Sequence, residues 1–297
     1  MDARRMNDRL ATILLRSPVL VTMVLFMLAP MGLAVVYSFM TNGAYGGVTM
    51  PFTAQAYRQL LFQEDFDGNL VFSTGYLAIL WRSVLLAALT VAISLAIGLP
   101  LAWHMACSAP AKRARLLLLI TLPFWINTLI RTYCWVLILR DEGLLNNGLR
   151  RIGLVEGHVQ FLYNDVAILL GMVYTYLPFM VLPIYAVLER LNGDVIEASH
   201  DLYAGRWSTF RRVVWPLAKP GAVAGSLLVF APALGSFLAP DLLGGGRRLM
   251  IGSLIQLQFS SSRNWSFGAA LATVVSVAIL AALFLVVRKT VNKVPAR

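Results

Sequence analysis

The sequence predicts an all-α, polytopic integral membrane protein with six transmembrane helices. Hydrophobic residues make up 59% of the 297-residue chain and charged residues only 13%, against about 25% charged in soluble globular domains. Apolar stretches recur at the length of roughly 20 residues that a helix needs to cross the hydrocarbon core. Lysines and arginines, which give a formal net charge of +11, gather in alternate connecting segments as the positive-inside rule requires.

The elements follow in order. A basic start, MDARRMNDRLATILLRS, precedes a first apolar run over 17–40 that is longer than a signal-peptide core and reads as an uncleaved span. A long outer loop, 41–75, is rich in glycine and aromatic residues and reads as a partly ordered cap. Further spans are expected over 77–105, 115–139, 166–188, 222–240 and 267–287. Pro123, Asn127 and Arg131 interrupt the third, and Pro178 and Pro183 the fourth. Broken helices are tolerated in a bilayer only where they face protein or a water-lined path, so these two are the candidates for lining a route. The expected organisation is a tail, first helix and outer loop (1–75), a transmembrane domain (76–290) containing a cytoplasmic loop (192–221), and a terminal tail (291–297).

With the N-terminus inside, the inner segments hold Arg4, Arg5, Arg9 and Arg16, then Lys112, Arg113 and Arg115, then Arg190 with the basic loop, then Arg288, Lys289, Lys293 and Arg297. The outer segments hold Arg58, Arg140, Arg150, Arg151, Arg247, Arg248 and Arg263, a bias of roughly two to one that puts both termini in the cytoplasm. Acidic residues (Glu64, Asp65, Asp67, Asp141, Glu142, Glu156, Asp165, Asp241) fall toward the outer side, either as a mouth that favours cations or as an ordinary solvated surface. The basic balance is accounted for by the membrane, and nothing in the chain supports a nucleic-acid partner. Cys107 and Cys134 sit near opposite ends of consecutive spans and are expected to be unpaired.

The most polar and basic long segment is 192–221, NGDVIEASHDLYAGRWSTFRRVVWPLAKPG. Asp194 and Glu197 have capping-box spacing, and a short amphipathic helix is expected from Asp194, followed by a helical piece over 208–214 and a break at Pro216 and Pro220. Glu197-Ala198-Ser199, Asp201-Leu202, Ala204, Thr209-Phe210, Pro216-Leu217 and Pro220-Gly221 resemble the EAA loop of the permease subunits of type I (MetI-like) binding-protein-dependent ABC importers. The pattern departs at Ser199, where a second alanine is usual, and at Tyr203, where a glycine is usual; Gly205 follows two residues later. The resemblance implies that Glu197, Ala198, Ser199, Asp201, Leu202, Tyr203, Ala204, Gly205 and Pro216 form a coupling helix docked into the ATPase. It further implies a dimeric ABC ATPase that holds the ATP and Mg, a second homologous permease, an external substrate-binding protein and a bacterial inner-membrane location, with no cofactor in this chain. A plain interfacial helix, with Glu197 only a capping residue, is the alternative.

No HExxH, CxxC, GxSxG or complete phosphate-loop motif occurs, so an enzyme or metal protein is not indicated. Leu129-Ile130-Arg131-Thr132-Tyr133, Arg140-Asp141-Glu142-Gly143-Leu144-Leu145-Asn146, Pro240-Asp241-Leu242-Leu243-Gly244-Gly245-Gly246 and Asn264-Trp265 resemble the spermidine/putrescine subfamily, its B-type subunit most of all. Relatives that carry opine-like compounds or ferric iron share parts of these motifs. A polyamine calls for aromatic faces and a few carboxylates, which makes Trp125, Asn127, Tyr133, Tyr174, Tyr176, Phe237 and Asp241 the pathway candidates, each aromatic having helix packing or an interfacial belt as its other explanation. Asp241 either contacts a cation or caps the turn 244–246, and Arg131 either snorkels or pairs with Asp141 or Glu142. The rival function is an ion-gradient-driven secondary transporter, which calls for acidic residues in mid-span; an intramembrane enzyme ranks last.

Overall fold

The computed structural model describes residues 17–19, 21–43, 45–64, 70–72, 74–190, 198–199 and 201–291. Among the described residues five helices are long and apolar enough to cross a membrane: α1 (Ser17–Ser38), α3 (Gly75–Ala106), α7 (Asp165–Leu188), α8 (Trp207–Leu234) and α11 (Trp265–Val291). A bent pair, Pro110–Trp125 with Thr128–Arg151 at 93°, makes a sixth if it is taken as one span. Between them lie α2 (Gln55–Gln59), α4 (Pro110–Thr121), α5 (Thr128–Leu139), α6 (Leu144–Arg151), α9 (Leu238–Leu243) and α10 (Ile251–Ser260). The segment between α1 and α3 adds two antiparallel hairpins, β1 (Met40–Asn42) with β2 (Val48–Phe52) and β3 (Phe62–Glu64) with β4 (Leu70–Phe72), so the class is helical with a small β appendage.

The chain forms two compact units, 1–76 with 255–297, and 77–254. In the first, α1 lies along α11. Most of α1 is exposed apolar surface, including Val24, Leu25, Phe26 and Met27, as a helix facing lipid should be. At its end the buried Ser38 shares a hydrogen bond with the Tyr57 hydroxyl (2.7 Å), tying α1 to α2. Asn264 caps α11 by accepting from the Phe267 amide (3.2 Å).

The second unit is organised on α7 and α8, which pack along each other. Glycines make the approach close: a Cβ on Gly221 would stand 2.7 Å from the Pro183 carbonyl oxygen, and one on Gly225 would stand 3.0 Å from that of Met180. Gly98 of α3 instead receives the side chains of Met180 and Val181, whose carbons would stand 3.1 and 3.3 Å from a Cβ there; small residues at both contacts are the usual route to helix association in lipid. Met180, Val181, Ile184, Val214, Ala218 and Val229 are buried around this seam.

Two expected breaks are absent. Pro178 and Pro183 lie inside a continuous α7, and Pro216 and Pro220 inside α8. A full break would strand several amides and carbonyls in hydrocarbon, which is worse than the bond or two each proline removes. In α8 a π turn, Phe210–Val214, precedes Trp215-Pro216 and takes up the misfit. The fifth span accordingly begins near Trp207 and ends at Leu234, earlier at both ends than the expected 222–240. The expected helix start at Asp194 lies outside the described residues.

The third span is broken as expected. After the 3-10 turn Leu122–Trp125, Ile126 is extended and Asn127 caps α5, its side-chain oxygen accepting from the Leu129 amide at 2.8 Å. Arg131 crosses the gap, donating to the Pro123 carbonyl (2.8 Å) and the Thr128 hydroxyl (3.2 Å) under the Tyr174 ring (5.8 Å). It is 6% exposed and has no acidic partner among the described residues, so the expected pairing with Asp141 or Glu142 is replaced by backbone repair. Cys107 and Cys134 are both free.

Ion pairs fix both ends of this unit. At one end Asp165, the first residue of α7, accepts from Arg82 of α3 and from Arg248 (3.2 Å); Arg82 also reaches the Leu249 carbonyl (3.5 Å), and the Ser83 hydroxyl accepts from the Ile251 amide (2.8 Å). At the other end Arg113 joins Glu189 (3.1 Å) and the Ala106 carbonyl (2.9 Å).

Three outcomes follow from this packing. Gly221→Ala should destabilise the protein by about 1–3 kcal/mol, since the contact is backbone and cannot swing away, and a lowered thermal unfolding midpoint in detergent checks it. Asp165→Asn leaves two arginines around a neutral group and should lower stability by about 1–2 kcal/mol, between an exposed and a buried pair. Arg82→Ala should then cost more than Arg248→Ala, because its side chain is 24% exposed against 49%; equal midpoints for the two would reject the unequal sharing.

Candidate functional site

The loop segment that resembles a coupling helix is described from Ala198, apart from His200; Glu197 lies outside the described residues. The Leu202 amide bonds to the Ala198 carbonyl (3.2 Å), and the Ala204 amide reaches back to the Ser199 carbonyl (3.0 Å) across Tyr203, whose φ is +55°. A bond from the residue after a left-handed position to a carbonyl five residues back is the Schellman way of ending a helix, and glycine is favoured at that left-handed place. The structure thus gives a physical reason for the glycine usual at this position, and the turn has not migrated to Gly205, which is not left-handed.

Ser199 is buried and its hydroxyl lies 3.1 Å from that of Thr209, which fastens the helix end to the next helical turn, Arg206–Thr209. Asp201 is exposed, Ala204 is half-buried, and Pro216 is exposed inside α8. Leu202, Tyr203 and Trp207 are 82%, 98% and 72% exposed, an apolar group on a polar loop. Exposed apolar clusters of this kind mark contact surfaces. Behind them Trp207 stacks on Phe210 (5.5 Å between centroids, 21°), and Phe210 stands 5.3 Å from Trp103 of α3.

The pathway candidates divide. Tyr176 and Phe237 line one cleft of about 150 Å³ together with Thr128, Thr132, Thr175 and Ser236. The Tyr176 hydroxyl donates to the Pro232 carbonyl at 3.1 Å. Asn127 borders this region as the cap of α5. Tyr174 faces elsewhere, edge-on to Trp135 (5.5 Å, 75°) and over Arg131. Trp125 is 87% exposed and Tyr133 is also exposed, so the structure does not bring them to the cleft. Asp241 lies one turn beyond Phe237 on α9, its amide bonded to the Phe237 carbonyl (3.0 Å). Its carboxylate has no hydrogen bond or ion pair among the described residues, and the turn it was a candidate to cap is closed instead by the Gly244 amide on the Pro240 carbonyl (3.0 Å).

Sequence reasoning passed over Arg82, Thr128 and Ser236, and met Thr132 only as part of a subfamily motif. Arg82 carried a usable signal, an arginine inside an apolar run, since ionisable groups at such places take a partner. Thr128 and Thr132 are spaced one turn apart on the helix that restarts after the break, yet without the packing nothing separates them from threonines that merely bond their own helix, as Thr132 also does to the Thr128 carbonyl. Among the described residues no group of three or more histidine, cysteine or acidic side chains could hold a metal.

The family model for the inner membrane component of binding-protein-dependent transport systems matches residues 73–293. Over 271 residues the chain is 36% identical to the spermidine/putrescine transport system permease protein PotB of Haemophilus influenzae, covering 91% of this chain and 90% of the relative. Over 265 residues it is 37% identical to the protein of the same name from Escherichia coli, covering 89% and 92%. Its fold is similar to that of a solved chain of a bacterial ABC transporter involved in import of the acidic polysaccharide alginate, with a TM-score of 0.77 over 98% of this chain and 99% of that one, at 18% identity. With its broken third span, its close α7–α8 seam and a family match over most of its length, the chain belongs to the inner membrane components of binding-protein-dependent transport systems, the permease subunits of ABC importers.

Proposed function

We propose that the protein is the permease subunit of an ATP-driven importer of polyamines of the spermidine and putrescine type. The observation that carries this reading is the 36–37% identity to permeases of that name across about nine-tenths of both chains. Both termini lie in the cytoplasm, as the lysine and arginine distribution favours. The partners are a second, homologous permease, a dimeric ATPase that binds ATP and Mg, and an external binding protein; a solved complex of the alginate importer includes a periplasmic protein. Glu197, Ala198, Ser199, Asp201, Leu202, Tyr203, Ala204, Gly205 and Pro216 belong to the coupling region, with the exposed Leu202 and Tyr203 supplying the apolar contact to the ATPase. ATP-driven closure of the partner moves this loop, and the spans alternate the access of the cleft.

The cleft suits brief passage of an alkylammonium chain. Hydroxyl oxygens of Thr128, Thr132, Thr175 and Ser236 accept from ammonium groups, and the Tyr176 and Phe237 rings meet the methylenes and the cation. The nearby Arg131 charge, spent on the Pro123 carbonyl and the Tyr174 face, keeps cation binding weak. Weak binding is what a route needs if its cargo is to leave. Asp241 draws the cation toward α9. Among the described residues every buried charged or polar side chain is neutral or, as Arg131, cationic, which favours an ATP-driven machine over an ion-coupled carrier with mid-span carboxylates.

Reconstitution of the complex with its ATPase and binding protein tests the substrate: spermidine or putrescine should stimulate ATP hydrolysis and accumulate in the vesicles, and failure of both would overturn the reading. Asp241→Asn should lower that uptake several-fold while leaving basal hydrolysis intact. At the loop, Tyr203→Gly removes a left-handed side chain whose conformation costs about 1–2 kcal/mol, so the thermal midpoint should stay at or above the parent's while coupled uptake falls with loss of the exposed ring. Tyr203→Val, branched at the same backbone angle, should reduce uptake, as should Glu197→Ala, with assembly unchanged in pull-down.

A further inference from the structure

We propose that the groove between α3 and the start of α8 binds an acyl chain of an anionic phospholipid, with Arg211 pairing to the lipid phosphate. The groove holds about 560 Å³ and is open along one side, as a slot for a chain entering from the bilayer would be. Ala92 and Ala96 form its floor, Trp207, Phe210 and Trp215 its aromatic wall, and Arg211 is the one charged group on it.

Several features select a lipid. Both walls belong to helices long and apolar enough to span a membrane, and Leu89, Ile93 and Ile97 beside the groove on α3 are exposed, so it opens toward hydrocarbon. A peptide backbone laid there would leave its amides and carbonyls unsatisfied. α3 is about 48 Å long at 1.5 Å per residue, and Ala92 and Ala96 lie in its half nearer Ala106, the end fixed by Arg113 and Glu189. Trp207 and Trp215 mark the polar–apolar boundary, where tryptophan concentrates. Arg211 and its exposed neighbour Arg212 have no acidic partner among the described residues. An apolar slot walled by rings and ending in a guanidinium with no acidic partner among the described residues is complementary to one chain and one anionic headgroup.

The site differs from the polyamine cleft in residues and in ligand charge. The full chain, purified with its co-purifying partners into nanodiscs, is exposed to phosphatidylglycerol or phosphatidylcholine carrying a photoreactive diazirine in one acyl chain. Crosslinked peptides are then mapped by mass spectrometry. Labelling within 92–100 and 207–215 should favour phosphatidylglycerol by about fivefold, the effect of one basic residue at an anionic surface. Arg211→Gln should bring the two lipids to parity, Arg211→Lys should keep the preference, and Ala96→Trp, which fills the floor, should remove labelling by both. Equal labelling by the two lipids in the parent, a preference that survives Arg211→Gln, or a groove shielded from both lipids by another protein segment would each overturn the proposal.

Discussion

A backbone inside hydrocarbon has no water to satisfy it, and much of this protein follows from that one demand. Prolines within α7 and α8 do not break them, because the helix loses less by omitting a bond at each proline than by opening a turn to lipid. Where the chain does break, between Trp125 and Thr128, the repair is explicit: the Asn127 side chain caps the new helix, and the Arg131 guanidinium takes the Pro123 carbonyl. An arginine at such depth reads as a charge looking for a counter-charge. Here its role is that of a multiple hydrogen-bond donor, with the Tyr174 face as its electrostatic partner.

The same demand explains which parts of the architecture were legible in the sequence. Span length is an average over many residues, so the expected starts and ends of α1, α3, α7 and α11 lie close to the observed ones. Proline is a single-residue signal, and its meaning depends on whether the surroundings can absorb a missing amide hydrogen. At Pro123 an extended residue and a capping asparagine follow, and the helix stops; at Pro216 a π turn precedes, and it continues. The words Pro and Asn were visible, but their outcome depended on neighbours that only the packing supplies.

The candidate site divides in a similar way. The loop around Tyr203 was recognisable because its spacing is local, and the departure from glycine there gains its meaning from a φ of +55°. The cleft was only half readable. Tyr176 and Phe237 were chosen for their chemistry, but Thr128, Thr132 and Ser236 join them through the crossing of α5, α7 and the 235–237 segment. Arg82 and Asp165 are separated by 83 positions in the chain, and no pattern short of the fold pairs them.

The seam between α7 and α8 has a mechanical corollary. Where Gly221 and Gly225 meet Pro183 and Met180, main chain lies close on main chain, and the Met180 sulfur sits over Gly225. One rod displaced lengthwise past the other along this stretch would lift the buried Met180, Val181 and Ile184 out of their sites. Such a crossing acts as a keyed joint, stiff against separation and against shear, so the two rods travel together.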